Sequence, residues 1–245
     1  MKKIKVNSLE HKLLLCCKTG TLEEVIDFIN AGADVNARVP FINDDIANKR
    51  YGAYAWCRPV HLAALNPDIR IIQHLHTVGA KLNVYTFEGW NPLHWAVFNN
   101  SLEMFHYLIQ QGLDPNITDK YGHNLLYHAV RNPHREVFTE ILSYGVDINH
   151  RADDETVLDK ACIYGTVEDV AFLIDQGVDI IEHLKKTTDI RYYNEENFRY
   201  LLECCIKQRA DLDEYIGDKT FDGTWGIADV FCESGLKTCS IRIGH

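Results

Sequence analysis

An all-α solenoid of about six to seven helix-turn-helix units, joined by short β-hairpins or turns, is the fold this sequence predicts. Three observations predict it. A glycine-centred segment recurs at a near-constant interval. A second segment with the character of a helix start recurs in the same phase. Between them, apolar residues fall at helical spacing.

The glycine segments are Asn30-Ala-Gly-Ala-Asp-Val-Asn36, Val78-Gly-Ala-Lys-Leu-Asn83, Gln111-Gly-Leu-Asp-Pro-Asn116, Tyr144-Gly-Val-Asp-Ile-Asn149 and Gln176-Gly-Val-Asp-Ile-Ile181. Their glycines, Gly32, Gly79, Gly112, Gly145 and Gly177, stand 47, 33, 33 and 32 residues apart. A degenerate copy, Arg209-Ala-Asp-Leu-Asp213, follows after 32 more, with Arg209 in place of glycine. The helix starts are Pro59-Val-His-Leu-Ala-Ala64, Asn91-Pro-Leu-His-Trp-Ala96, Asn124-Leu-Leu-Tyr-His-Ala129 and Thr156-Val-Leu-Asp-Lys-Ala161. Asn91 and Thr156 suit a helix cap, and Pro92 suits the first helical turn, where no amide hydrogen is needed. Ala63, Ala64, Ala96, Ala129 and Ala161 let paired helices approach closely. Second helices follow from Ile69, Ile72 and Leu75, from Leu102, Phe105, Leu108 and Ile109, from Val137, Ile141 and Leu142, and from Val170, Leu173 and Ile174. Each closing glycine is expected in a left-handed conformation. No single unit buries its own apolar face, so neighbours must supply the core.

These residues resemble the ankyrin repeat, whose pattern is T-P-L-H-x-A, a second helix, then G-A-D-x-N; the resemblance runs over about residues 9 to 213. Residues 1–37 read as an N-terminal cap with helices over Ser8–Cys17 and Leu22–Asn30. The long first interval places an insertion at 38–54, and 55–181 form the central repeats. Residues 182–245 read as degenerate repeats and a C-terminal cap. There, Thr188–Tyr193 phases as a first helix, and Phe198, Leu201, Leu202, Cys205 and Ile206 as a second. Phe221–Asp229 distantly resembles one more start. The whole chain, 1–245, is expected to form a single domain.

Composition narrows the function. A formal charge of -10 argues against nucleic acid and anionic lipid, both of which require a basic face. It leaves room for a basic protein partner. No apolar stretch reaches the ~20 residues of a membrane span, and the run Leu13–Cys17 is too short for a signal-peptide core. A cytoplasmic location is expected, or a host cytoplasm for a delivered effector, and a monomer. The eight cysteines form no C-x-x-C, so they read as buried free thiols rather than zinc ligands or disulfides.

No catalytic motif emerges, and neither a cofactor nor a metal is expected. His61 and His94 fall on the family's T-P-L-H histidine, which ties neighbouring turns by hydrogen bonds. His74 and His76 are two apart on a helix and point in different directions. His123, His128 and His134 lie on separate parts of one unit. The acidic run Asp153-Asp154-Glu155 reads as a solvated hairpin tip.

The resemblance instead implies a contact face made of hairpin tips and first-helix ends. In the third unit these are Phe87, Glu88, Trp90, Phe98 and Asn99. In the fourth they are Lys120, Tyr121, His123, Arg131 and Asn132. Glu155 and Tyr164, beside Ala152, Asp153 and Ile163, represent the fifth, and Leu65 and Asn66 the second. The scaffold does not require Phe87, Trp90, Phe98 or Tyr121 to be aromatic, and aromatic residues are enriched at binding hot spots. The insertion carries Phe41, Ile42, Tyr51, Tyr54 and Trp56. It is either a tolerated surface loop or a finger that joins the contact face. Two functions fit: a non-catalytic protein-binding adaptor, scaffold or delivered effector, and a dedicated inhibitor such as an immunity protein or antitoxin.

Overall fold

Helices follow one another in short succession along the chain, each packing on its neighbour, as the recurring starts and stops require. The computed structural model describes residues 8–41, 55–130, 132, 135–153, 155–186 and 193–207. The chain divides into two compact units, Met1–Val146 and Asp147–His245.

The first unit holds α1 (Leu9–Thr19), α2 (Leu22–Asn30), α3 (Pro59–Ala63), α4 (Ile69–Thr77), α5 (Pro92–Phe98), α6 (Leu102–Gln110), α7 (Leu125–Ala129) and α8 (Glu136–Ser143). Side-chain caps start most of them. Thr21 and Glu24 form a reciprocal capping box, Asn91 Oδ1 accepts from the amides of Leu93 and His94, and Asn124 accepts from Tyr127. At the other end, Gly32, Gly79, Gly112 and Gly145 close the second helices at φ between 76° and 95°, where a side chain would be strained.

The short first helices pack in sequence, α1 on α3, α3 on α5 and α5 on α7, while α2 meets α4 and α6 meets α8. Ala63, Ala64, Ala96 and Ala129 are buried at these crossings. The core beneath is apolar throughout: Leu62, Ile71, Ile72, Leu75, Leu93, Met104, Phe105, Leu108, Phe138 and Ile141 are almost wholly buried.

The insertion enters and leaves as a two-stranded antiparallel ribbon, β1 (Val39–Phe41) and β2 (Ala55–Cys57), with Val39 opposite Cys57 and Pro40 opposite Trp56. Extended flanks therefore bracket the insertion, whose residues 42–54 lie outside the described residues. The backbone pairing satisfies polar groups that the buried Val39 and Cys57 would otherwise leave unpaired.

The second unit holds α9 (Val157–Tyr164), α10 (Val167–Asp175), α11 (Ile180–Lys186) and α12 (Glu195–Lys207). Thr156 and Thr166 each cap with a box, using Asp159 and Asp169. α12 lies against α9 and α10, and α11 against α12. Phe198, Leu201, Leu202 and Cys205 are buried, as the helical spacing predicts. α11 departs from expectation. The segment after Gly177 lacks the asparagine that ends the other copies, and Asp179 instead caps a helix, accepting from the Glu182 amide (2.8 Å). The predicted first helix at 188–193 falls mostly outside the described residues, as do Arg209–Asp213 and Phe221–Asp229.

Among the described residues the cysteines are free thiols, with Cys16 and Cys204 half-buried rather than buried. Cys17, Cys57, Cys162 and Cys205 are buried and unpaired. Burial pushes the thiols of Cys57 and Cys205 up to about 12, which removes the thiolate needed for reactivity near neutral pH.

Candidate functional site

The third hairpin begins with a period-two alternation. Leu82, Val84 and Thr86 are buried, whereas Asn83, Tyr85 and Phe87 are exposed, because successive side chains of an extended segment point to opposite sides. The tip turns at Phe87-Glu88-Gly89 and is closed by the Thr86 amide donating to the Trp90 carbonyl (2.8 Å). Gly89 adopts φ +79°, and a Cβ there would come within 2.6 Å of the Lys120 amide nitrogen. Glycine is thus required twice over, for its conformation and for the close approach of the next hairpin.

That approach joins the two tips. The Lys120 amide donates to the Glu88 carbonyl (3.0 Å), and the Lys120 ammonium pairs with Glu88 Oε2 (2.5 Å). The same ammonium lies 4.5 Å from the Phe87 ring centre and 4.8 Å from that of Tyr121, within cation–π range of both. The charges neutralise each other and leave the two rings outermost. Phe87 is 67% exposed and Tyr121 42%.

Asp119 fixes the fourth tip from below. Its Oδ1 accepts from the amides of Tyr121 (2.8 Å) and His123 (3.0 Å), and its Oδ2 lies 3.1 Å from His128 Nε2 and 3.4 Å from His123 Nδ1. Burial alone raises the Asp119 carboxyl, but hydrogen bonds from His123 and His128 and the charge on both rings outweigh it. The group is held well below the usual carboxylate range. The His123 ring stacks on Tyr127 at 3.8 Å.

Trp90 is only 7% exposed, which corrects its assignment to the contact surface. It stacks on His94 (5.8 Å) and meets Trp95 (5.4 Å), Phe98 (6.1 Å) and His128 (4.9 Å). Its role is to support the tips from beneath. Phe98, at the end of α5, remains 44% exposed.

The asparagines are drawn into the scaffold as well. Asn66 is buried and donates to the carbonyls of Cys17 (3.1 Å) and Gly20 (3.2 Å). Asn99 donates to Leu65 (3.2 Å) and Asn132 to Val97 (2.9 Å). Each clasps the end of the preceding first helix, satisfying carbonyls that a helix C-terminus leaves open. Their recurrence seven residues after the starts of α3, α5 and α7 was visible in the sequence.

Leu65 and Trp56 are half-buried. Phe41 ends β1, its side chain lying outside the described residues, as do Tyr51, Tyr54 and Arg131. In the second unit, Tyr164 is 37% exposed, while half-buried Glu155 exchanges backbone hydrogen bonds with Ala152. Tyr85, 45% exposed, was missed by the motif comparison; the alternation before Phe87 was the signal for it.

Of the two T-P-L-H histidines, His61 ties its turn to the next hairpin, whereas His94 bonds only within its own helix cap and its buried Nε2 makes no hydrogen bond among the described residues. The Arg58 amide donates to His61 Nδ1 (2.9 Å), and His61 Nε2 lies 3.0 Å from the Val84 carbonyl of the next hairpin. The Asn91 amide reaches His94 Nδ1 in the same way (3.3 Å). In the third and fourth starts after His61, the position is taken first by His94, then by Tyr127, and in the second unit by Asp159.

The family model for ankyrin repeats, in three copies, matches residues 13–119, 60–152 and 112–186. The chain belongs to the ankyrin-repeat family. No curated protein matches the chain. Ankyrin repeats are generally protein–protein interaction modules and generally not enzymes, which suits a site whose charges are internally paired. Among the described residues of this ankyrin-repeat chain, no helix is long and apolar enough to cross a membrane, and no group of three metal-ligating side chains converges.

Proposed function

We propose that the chain is a non-catalytic protein-binding adaptor whose partner docks on the hairpin-tip and first-helix face of the first unit. The observation that carries this reading is Phe87, two-thirds exposed at a tip held rigid by Gly89, Lys120 and Glu88. An exposed aromatic costs little conformational entropy on binding when its surroundings are already ordered. Tyr121, Tyr85 and Phe98 extend the face, and Tyr164 provides a comparable ring in the second unit.

The full array is read as six to seven units in one domain, working as a monomer in the cytoplasm. A charge of -10 supports a basic protein partner and disfavours nucleic acid. It equally supports the inhibitor reading, in which the same face plugs a basic enzyme.

The test is a paired variant, Phe87→Ala with Tyr121→Ala. Both rings are exposed, so folding should be unchanged within ~0.5 kcal/mol per site, while affinity for the captured partner falls at least tenfold. Unchanged affinity overturns the face. Loss of the partner's enzymatic activity on binding selects the inhibitor over the adaptor.

A further inference from the structure

Two arginines face each other at the root of the ribbon that brackets the insertion. β1 and β2 set Val39 opposite Cys57, and one step further the same register sets Arg38 opposite Arg58. Val39 and Cys57 are buried, so the two arginines project from the other side of the ribbon. Arg38 is exposed, and Arg58 and Trp56 on that side are half-buried. Like charges directly opposite each other across an antiparallel pair repel. The chain has 35 acidic residues against 25 lysines and arginines, yet among the described residues none forms an ion pair with Arg38 or Arg58.

Arg58 also breaks the rule of the repeat. Asn91, Asn124 and Thr156 stand at the corresponding helix starts and cap them with a side-chain oxygen. Arg58 opens α3 with no side-chain cap, because a guanidinium has no acceptor to offer. Its Nη1 donates to the Asn36 carbonyl (2.5 Å), while its buried Nε finds no acceptor among the described residues. A guanidinium carries five N–H donors, so most of those on Arg58 remain unspent.

The surroundings are cationic as well. Asn36 clasps the next hairpin, its Oδ1 accepting from the Lys81 amide (2.9 Å) and its Nδ2 donating to the Gly79 carbonyl (2.9 Å). This brings the exposed Lys81 beside Asn36, the residue that Arg58 also reaches. Asp34, the acid of the same turn, is turned onto the Asn36 amide (2.8 Å). Burial, with the Arg58 and Arg38 charges adding to it, holds the His61 ring down to about 4. Both guanidinium charges therefore reach one buried ring. Two guanidinium forks side by side match the oxygens of a carboxylate or a phosphate.

We propose that Arg38 and Arg58, with Lys81 beside them, bind an oxyanion group of a protein partner, a carboxylate or a phosphate. The bound group receives donors from both guanidiniums and removes the repulsion across the ribbon. A net charge of -10 disfavours the continuous phosphate backbone of a nucleic acid, whereas the local reversal of that charge suits a single oxyanion. The protein-binding reading enters only as the source of the oxyanion. Small probes test the site without the captured partner, so its failure is separate from that of the aromatic face.

The experiment uses the full chain with ¹⁵N-labelled arginine and follows the Nε–H signals as short peptides are added. One peptide is centred on a Glu-Glu pair, a second carries phosphoserine there, and a third carries Gln-Gln; inorganic phosphate is a fourth probe. The Arg38 and Arg58 signals should shift saturably with the glutamate or the phosphoserine peptide and not with the glutamine one. The tighter of the two names the oxyanion. Arg38→Gln costs no hydrogen bond or ion pair among the described residues, and it should weaken binding at least tenfold. Arg38→Glu places opposite charges across the ribbon; it should abolish binding while leaving the urea midpoint no lower than that of the native chain. Absence of a saturable shift, or equal binding of the glutamine peptide, overturns the proposal. Saturation by inorganic phosphate alone overturns a protein source. Binding that emerges only after Asp44→Asn and Asp45→Asn assigns the site to the insertion of the chain itself, and overturns the partner.

Discussion

The residues of the candidate face separate into those that touch solvent and those that hold them in place, and substitution should distinguish them. Trp90→Ala removes a ring packed among His94, Trp95, Phe98 and His128. It should destabilise the first unit by ~3–5 kcal/mol, as large-to-small changes in a packed core do, measured by urea unfolding. Phe87→Ala, at 67% exposure, should leave the same midpoint in place. Asn66→Ala leaves two carbonyls of the α1–α2 corner without their donor, at a cost of about 1–3 kcal/mol in the same assay. A clasp asparagine and a contact asparagine have the same sequence spacing, so the distinction was illegible before the hydrogen bonds were known. Tyr85 was legible in the alternation from Leu82 to Phe87.

The first unit buries two histidines, His61 and His94, and these set its response to acid. Burial holds His61 down to about 4, and burial with the neighbouring His128 charge holds His94 to about 3. In an unfolded chain both protonate near 6.5. Between those values the unfolded state binds more protons, so the stabilisation is complete above pH ~6.5 and is lost as pH falls toward 4. For His61 alone the loss is on the order of 3 kcal/mol. The urea midpoint of the first unit, followed by tryptophan fluorescence, should therefore drop steadily from pH 7 to pH 4. A flat profile would mean that these histidines are accessible to protons in the folded state. At this scale the sequence was most informative: caps, closing glycines and the apolar faces of the second helices all form where their spacing puts them. The errors were local. Ile71, Met104 and Phe138 carry the burial that the spacing spread over Ile69, Leu102 and Leu142. The ribbon at Val39–Phe41 depends on pairing with a strand across the insertion, which no local pattern encodes.

Across the whole molecule, the repeat was legible because each unit needs the same alanines, glycine and helix cap to pack on its neighbour. Legibility faded where one unit broke those rules. Asp159 stands in place of the repeat histidine and forms a reciprocal capping box with Thr156, and the early start of α11 accompanies the missing asparagine after Gly177. The identity of the face was only half legible: periodicity locates hairpin tips, but burial decides which aromatics remain outside.

The most direct test of the central claim places a photo-crosslinking residue at Phe87 and, separately, at Val78, which is exposed at the far end of α4. The captured protein is then purified and its affinity measured against the native chain and the Phe87→Ala, Tyr121→Ala variant. The account predicts crosslinking from position 87 and not from 78, with at least a tenfold loss of affinity in the variant. Crosslinking from 78 alone, with affinity unchanged in the variant, would contradict it.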